Sequence, residues 1–233
     1  MSELRILLED NHLLAVDKPA NLLTQGDRTG DVTVLELARA YLKEKYDKPG
    51  NVYLGLVHRL DRPVSGVLLL ARTSKAASRL SRQFREHTVR KSYLAVTEGG
   101  PSTPADALSA HLAGGGDAQG VTRAAVAPFP GSRPARLRYR VLGRRPDRSL
   151  LAVEPVTGRR HQIRAQLALV GWPVWGDVKY GARRRRQPAG IALHAWRLEV
   201  AHPVGGGPLV ISAPTPPDWP WAGPVPDPAE EMP

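Results

Sequence analysis

Apolar and polar positions alternate along the first ninety residues in segments short enough to read one at a time. Leu4 to Glu9 and His12 to Val16 read as two short strands around an Asp10-Asn11 turn, a hairpin signal. After Asp17-Lys18-Pro19-Ala20 a polar loop runs to Asp31. Thr33 then caps a helix extending to about Tyr46, with Leu35, Ala38 and Leu42 on one face and Asp47 to Asn51 as its stop. Tyr53 to Val57 predicts a strand, and Val67 to Ala71 a buried one. Thr73 or Ser74 caps the next helix, through about His87. Its apolar face is Ala77, Leu80 and Phe84, and its other face carries Arg79, Arg82 and Arg85. Lys91 to Glu98 follows as a strand.

The second half is less regular. Gly99 to Gly120 is rich in Gly, Pro and Ala, contains Gly114-Gly115-Gly116, and reads as an exposed excursion. Strands are predicted at Ala124 to Ala127, Ala135 to Leu142 and Leu150 to Pro155. The middle one sets Leu137, Tyr139 and Val141 against Arg136, Arg138 and Arg140, a basic stripe on one sheet face. Thr157 to Gly171 predicts a helix with Ile163, Leu167 and Val170 inward, Arg160 and Arg164 sharing a flank, and Gly171 as the stop. Ile191 to Val200 and Leu209 to Ser212 close the pattern. The expected fold class is α+β, with one domain over residues 1–213 and a Pro-rich acidic tail over 214–233, extended or disordered.

Composition adds charge. The chain has 233 residues and a net charge of +11, and no Lys or Arg follows Arg197. Up to that point 33 basic residues face 17 acidic ones, a balance of +16, which favours a polyanionic partner and, with 42% hydrophobic residues, nucleic acid over membrane. The chain has no cysteine, which excludes disulfides and thiolate sites, and its histidines lack the HxxxH helical spacing of a metal site. No apolar run is long enough to span a bilayer and the first residues lack a secretory pattern, so a cytoplasmic protein without membrane contact is expected.

One segment carries chemistry by itself. In His58-Arg59-Leu60-Asp61-Arg62-Pro63-Val64-Ser65-Gly66 a lone carboxylate lies between two guanidiniums on a loop between apolar strands. Such an environment keeps a carboxylate charged and oriented, suited to a nucleophile or a base. An ordinary surface turn with ion pairs would read the same way in isolation.

Other segments decide the matter. The chain resembles the RluA-type pseudouridine synthase family in Asp17-Lys18-Pro19-Ala20-Asn21-Leu22-Leu23, in His58 to Gly66, in Arg90-Lys91-Ser92-Tyr93-Leu94-Ala95-Val96 and in Thr157-Gly158-Arg159-Arg160-His161-Gln162-Ile163-Arg164. Gly171 to Gly181 is similar to the segment that follows in the family. The order runs from about residue 4 to 213, so the small N-terminal RNA-binding appendage of many relatives is expected to be absent.

The resemblance implies a mixed, mainly antiparallel sheet flanked by helices, with an active-site cleft between two halves. It implies isomerisation of uridine in rRNA or tRNA to pseudouridine, with no cofactor and no metal, by a monomer. Asp61 would be the catalytic carboxylate, as nucleophile at C1′ or base at C2′, with Arg164 pairing to it. Tyr93 would contact the uracil face, or else sit as a strand aromatic in the core. The target base must be flipped out, and Arg59 would fill the space it leaves. His58 would organise the loop by hydrogen bonding. Lys18, Arg62 and Arg160 would touch phosphates. Ile163 is counted with the substrate-facing residues, although its helical spacing suits the core. The run Arg183 to Arg186 fits either phosphate contact or a solvated loop.

Two departures from the family pattern stand out. Val64 replaces a threonine, so support for the loop falls to Ser65 or is absent, and Asn21 replaces a glycine at a turn where asparagine tolerates left-handed angles. Two rival readings are a catalytically silent RNA-binding or ribosome-assembly protein and a hydrolase. The hydrolase lacks the paired carboxylates, acidic metal cluster or Gly-x-Ser-x-Gly turn it would need.

Overall fold

A computed structural model describes residues 4–114, 120–183, 185, 186, 190–223 and 225. Contacts divide the chain into two compact units, residues 1–91 with 195–216, and residues 92–194 with 217–233. Each unit is interrupted in sequence.

In the first unit, β1 (Arg5–Glu9) and β2 (Leu13–Lys18) form the expected hairpin, with Asp10 Oδ1 accepting from the His12 and Leu13 amides at its turn. The strand order is β1, β2, β4 (Ser65–Ala71), β10 (Leu193–Ala201), then β11 (Pro208–Ser212), with the two-residue β3 (Gly55–Leu56) also on β4. The strand expected over Tyr53 to Val57 shrinks to that fragment. β4 is buried along its whole length, as a continuous apolar run in mid-sheet should be. Helix α1 (Val34–Lys45) starts at a capping box: Thr33 Oγ accepts from the Glu36 amide and the Glu36 carboxylate accepts from the Thr33 amide. Helix α2 (Ser74–Arg85) is capped by Thr73 and lays Ala76 and Leu80 on a core of Leu13, Val67, Leu69, Leu198 and Ile211.

In the second unit the order is β5 (Arg90–Glu98), β9 (Arg148–Pro155), β8 (Arg133–Arg145), β6 (Ala105–Ala113), β7 (Arg123–Ala125), with antiparallel registers throughout. The excursion expected over 99–120 is corrected here, because nine of its residues form β6, an inner strand. Its Ala110 and Leu112 join Ala135 and Ala165 in a small-residue core that lets helix α3 (Gln162–Leu169) approach the sheet closely. Gly114 is described and residues 115–119 lie outside the described ones. In β8, Arg136 and Arg138 face solvent opposite buried Leu137 and Tyr139, and a register shift between Val141 and Gly143 ends the alternation.

The helix expected over 157–171 begins five residues late. Thr157 to His161 form a turn around the buried Gln162, whose Oε1 accepts from Thr157 Oγ (2.8 Å) and the Arg159 amide (3.0 Å). His161, at φ 52°, sits left-handed at the helix start. Arg160 therefore precedes α3 and is exposed, while Arg164 is buried, so the two do not share a flank. Gly171, at φ 82°, is the expected stop.

Three residues of the tail have contacts: Asp218 accepts from Arg186, and two tryptophans meet side chains of the second unit. The Trp219 ring meets His194 edge-on at 5.9 Å, and Trp221 lies under the Arg145 guanidinium (4.8 Å) where a Cβ on Gly143 would strike it at 2.4 Å. Residues 224 and 226–233 lie outside the described ones.

Candidate active site

The Asp61 loop is braced from beneath, all within the first unit. The Val64 amide donates to the Asp61 carbonyl (3.1 Å), closing the turn through the main chain, so the missing threonine hydroxyl is not what shapes it. Thr24 Oγ donates to the Leu60 carbonyl (2.8 Å) and accepts from its amide (3.3 Å). Gly66 leaves the loop at φ 112° with its α-carbon against the Ala195 main chain, where any Cβ would lie 2.2 Å from the carbonyl oxygen. Only glycine meets both demands. Asn21 is left-handed, at φ 66°, as its side chain permits.

Lys18 has a different task from the phosphate contact expected of it. It is fully buried, and its ammonium donates to the carbonyls of Pro19 (2.9 Å), Leu22 (2.7 Å) and Arg62 (3.1 Å). Three donors meet three acceptors, which leaves none for a phosphate. Burial draws its pKa down to about 7, the Asp61 carboxylate pulling the other way and the Arg62 guanidinium adding to the fall. Arg62 does not clamp Asp61 from the side either. Its Nη1 is 2.7 Å from Asp31 Oδ2 and its Nε donates to the Asn21 carbonyl. The buried Lys18 ammonium and the Asp61 carboxylate feel each other's charge, a pairing that residue order alone does not reveal. Asp61 is half-buried and Arg59 exposed.

His58 sits at the loop's other end. Its Nε2 accepts from the Leu69 amide (2.9 Å) and its ring stacks on Phe84 at 4.8 Å. Burial, with Lys91 nearby, pushes its pKa down to about 3. The ring is neutral at physiological pH and organises the loop through that hydrogen bond.

The second unit holds the other expected residues. Tyr93 is half-buried on β5 opposite Val153. Arg164 is buried on α3, its Nε and Nη2 donating to Asp177 Oδ2 (2.6 Å) and Oδ1 (2.9 Å), with its guanidinium 4.8 Å from the Tyr180 ring centroid. Such a two-point grip fixes the plane of the guanidinium. Ile163 is buried on α3, as its helical spacing suits. Asp177 and Tyr180 were not singled out, although both lie in the matched segment Gly171 to Gly181. The signal was an acid thirteen positions beyond a buried arginine, invisible without the fold. Of the basic run, Arg183 and Arg185 are exposed, Arg184 lies outside the described residues, and Arg186 is buried, bonded to the Asp218 carbonyl and carboxylate. Among the described residues no group of three or more His, Cys, Asp or Glu could hold a metal ion, and no helix is long and apolar enough to cross a membrane.

Comparison with known proteins gives this geometry a context. The family model described as RNA pseudouridylate synthase matches residues 12–169. The chain is 37% identical to tRNA pseudouridine synthase C of Salmonella typhimurium over 254 residues, covering 96% of this chain and 93% of that protein. It is 35% identical to ribosomal large subunit pseudouridine synthase D of Nitrosomonas europaea (92% of this chain, 63% of that protein) and 33% identical to synthase C of the large ribosomal subunit from Vibrio vulnificus (90% and 65%). The chain thus spans a little under two thirds of the length of those two relatives. Among solved structures, human RNA pseudouridylate synthase domain containing 1 superimposes with a TM-score of 0.72 at 27% identity, over 91% of this chain and 84% of that one. Human domain containing 4 shares the fold at a TM-score of 0.77 and 23% identity, over 92% and 90%. With the Asp61 segment and the start of α3 both inside the matched span, the chain belongs to the RNA pseudouridylate synthase family.

Proposed function

We propose that this protein isomerises uridine to pseudouridine in a structured rRNA or tRNA, with Asp61 as the catalytic carboxylate. The observation that carries the reading is the construction of the Asp61 loop. A half-buried carboxylate is held by main-chain bonds, a required glycine and a buried lysine, all inside the span shared with the family. The N1–C1′ bond breaks, the uracil turns, and C5 bonds to C1′ while the C5 proton leaves to solvent and N1 takes one up. Atoms balance, and the chemistry calls for an oriented carboxylate acting as nucleophile at C1′ or base at C2′. Arg164, its plane set by Asp177, would be the second catalytic residue, and Tyr93 would contact the uracil. Arg59, exposed beside Asp61, would occupy the gap left by the flipped base, and Arg160 would hold phosphate. The exposed arginines and the charge of +11 support RNA as the partner.

The test is a map of pseudouridines across tRNA and rRNA from cells with and without the gene. Loss of one or a few sites, restored by the parent protein but not by Asp61→Asn, supports the assignment. An identical map in all strains contradicts it.

A further inference from the structure

Helix α2 presents a face that the reaction does not use. Its buried side is Ala76 and Leu80, and the outer side forms a shallow groove lined by Ser74, Lys75, Ser78, Arg79, Arg82 and Arg85. Arg79 is committed to the Pro203 carbonyl. Lys75, Arg82 and Arg85 are exposed and enter no ion pair among the described residues. At about 1.5 Å rise per residue, the span from Lys75 to Arg85 is about 15 Å, room for several phosphates of one strand. The first turn of α2 holds no acidic residue, and its cap is the neutral Thr73. Like charges at such spacings cost helix stability when nothing opposes them, so the face is built for an anion.

The chemistry of that face narrows the partner. It offers donors and positive charge but no aromatic ring: Phe84, the only one on α2, is turned inward against His58. Unpaired bases need a stacking surface, whereas the backbone of a helical stem needs only charge and donors. We infer that the outer face of α2 docks the phosphate backbone of a double-stranded RNA stem, outside the target nucleotide and without reading sequence. The inference rests on RNA being the substrate and adds the kind of RNA element gripped. Serine hydroxyls at 74 and 78 supply further phosphate donors between the cations.

The test uses the full chain and two probes, a 16-base-pair RNA duplex of arbitrary sequence and a 16-nucleotide oligouridine, with binding followed by fluorescence anisotropy across a salt series. Lys75→Ala/Arg82→Ala/Arg85→Ala should weaken duplex binding by at least about tenfold and lower the salt slope by about 2 to 3, while oligouridine binding moves less than about twofold. A triple change to Lys75→Arg/Arg82→Lys/Arg85→Lys should restore duplex affinity. The charge-matched control Arg28→Ala/Arg39→Ala/Lys43→Ala, all exposed in the same unit, should lose far less. Unchanged duplex affinity and slope in the α2 variant overturns the inference, as does an equal loss in the control or on oligouridine. If the parent binds neither probe, the RNA reading itself fails, a separate result.

Discussion

Replacing Asp177 with asparagine tests the arginine grip most sharply. Both partners are buried, with side-chain exposures of 5% for Arg164 and 2% for Asp177, so the substitution takes the Asp177 charge away from a guanidinium held in the interior. Removing one partner of a buried pair costs about 3–5 kcal/mol. Asparagine keeps one carbonyl acceptor for one of the two bonds and recovers about 1 kcal/mol, leaving a net loss of about 2–4 kcal/mol. Urea unfolding followed by tryptophan fluorescence reads this in the right place, because Trp172, Trp175, Trp219 and Trp221 all lie in the second unit with the pair. Arg164→Met with Asp177→Leu removes both charges in similar volume and should return to within about 1–2 kcal/mol of the parent while staying inactive. Asp177→Asn alone should lower turnover more than RNA affinity, since its effect is on the orientation of Arg164. A midpoint for Asp177→Asn within about 0.5 kcal/mol of the parent would refute the reasoning.

Other consequences are more local. His58 takes up a proton near pH 6.5 in the unfolded chain but only at about 3 in the native one, so the unfolded state binds more protons between those values and stability falls as pH drops through that window. The loss is roughly 2 kcal/mol at pH 5, and comparing urea midpoints at pH 7 and pH 5 should show a smaller drop in His58→Gln than in the parent; equal drops would contradict the burial of a neutral ring. Lys18→Met strands the carbonyls of Pro19, Leu22 and Arg62 and should cost about 2–4 kcal/mol in the same assay, with a fall in turnover; a neutral effect on both would remove Lys18 as the loop's anchor. Gly66→Ala forces a Cβ onto the Ala195 carbonyl and a strained φ, so a loss above about 2 kcal/mol or failure to accumulate soluble protein is expected, and normal stability would contradict the close approach.

What could be read from the chain follows from where its information is local. Thr33 and Glu36 announce α1, and Thr73 announces α2, because a cap involves three or four neighbouring residues. The continuous run in β4 and the alternation in β8 are periodic, so they too were legible. β6 was not, because Ala105, Ala107 and Ala110 give little hydrophobic signal; Ala110 instead packs in a cluster with Ala135 and Ala165 of α3, a tertiary contact. The start of α3 was misplaced since Gln162 organises the turn before it through side-chain bonds that no periodicity shows. At the candidate site, Asp61 and its motif are singled out by residue order and resemblance. The roles of Lys18, Arg62 and Asp177 depend on partners 44, 31 and 13 positions away, which only the folded chain brings together. Composition gives the acidic tail as extended or disordered but does not reveal the contacts that Asp218, Trp219 and Trp221 make, since their partners lie 25 or more positions away.

The central claim is that one carboxylate performs the chemistry while its surroundings only hold it. Tritium release from RNA labelled at uracil C5, measured for the parent and for Asp61→Asn at concentrations where both are equally RNA-bound, tests that directly. The account predicts release by the parent and none above background by Asp61→Asn. Release by Asp61→Asn at the parent's rate would place the chemistry on another group.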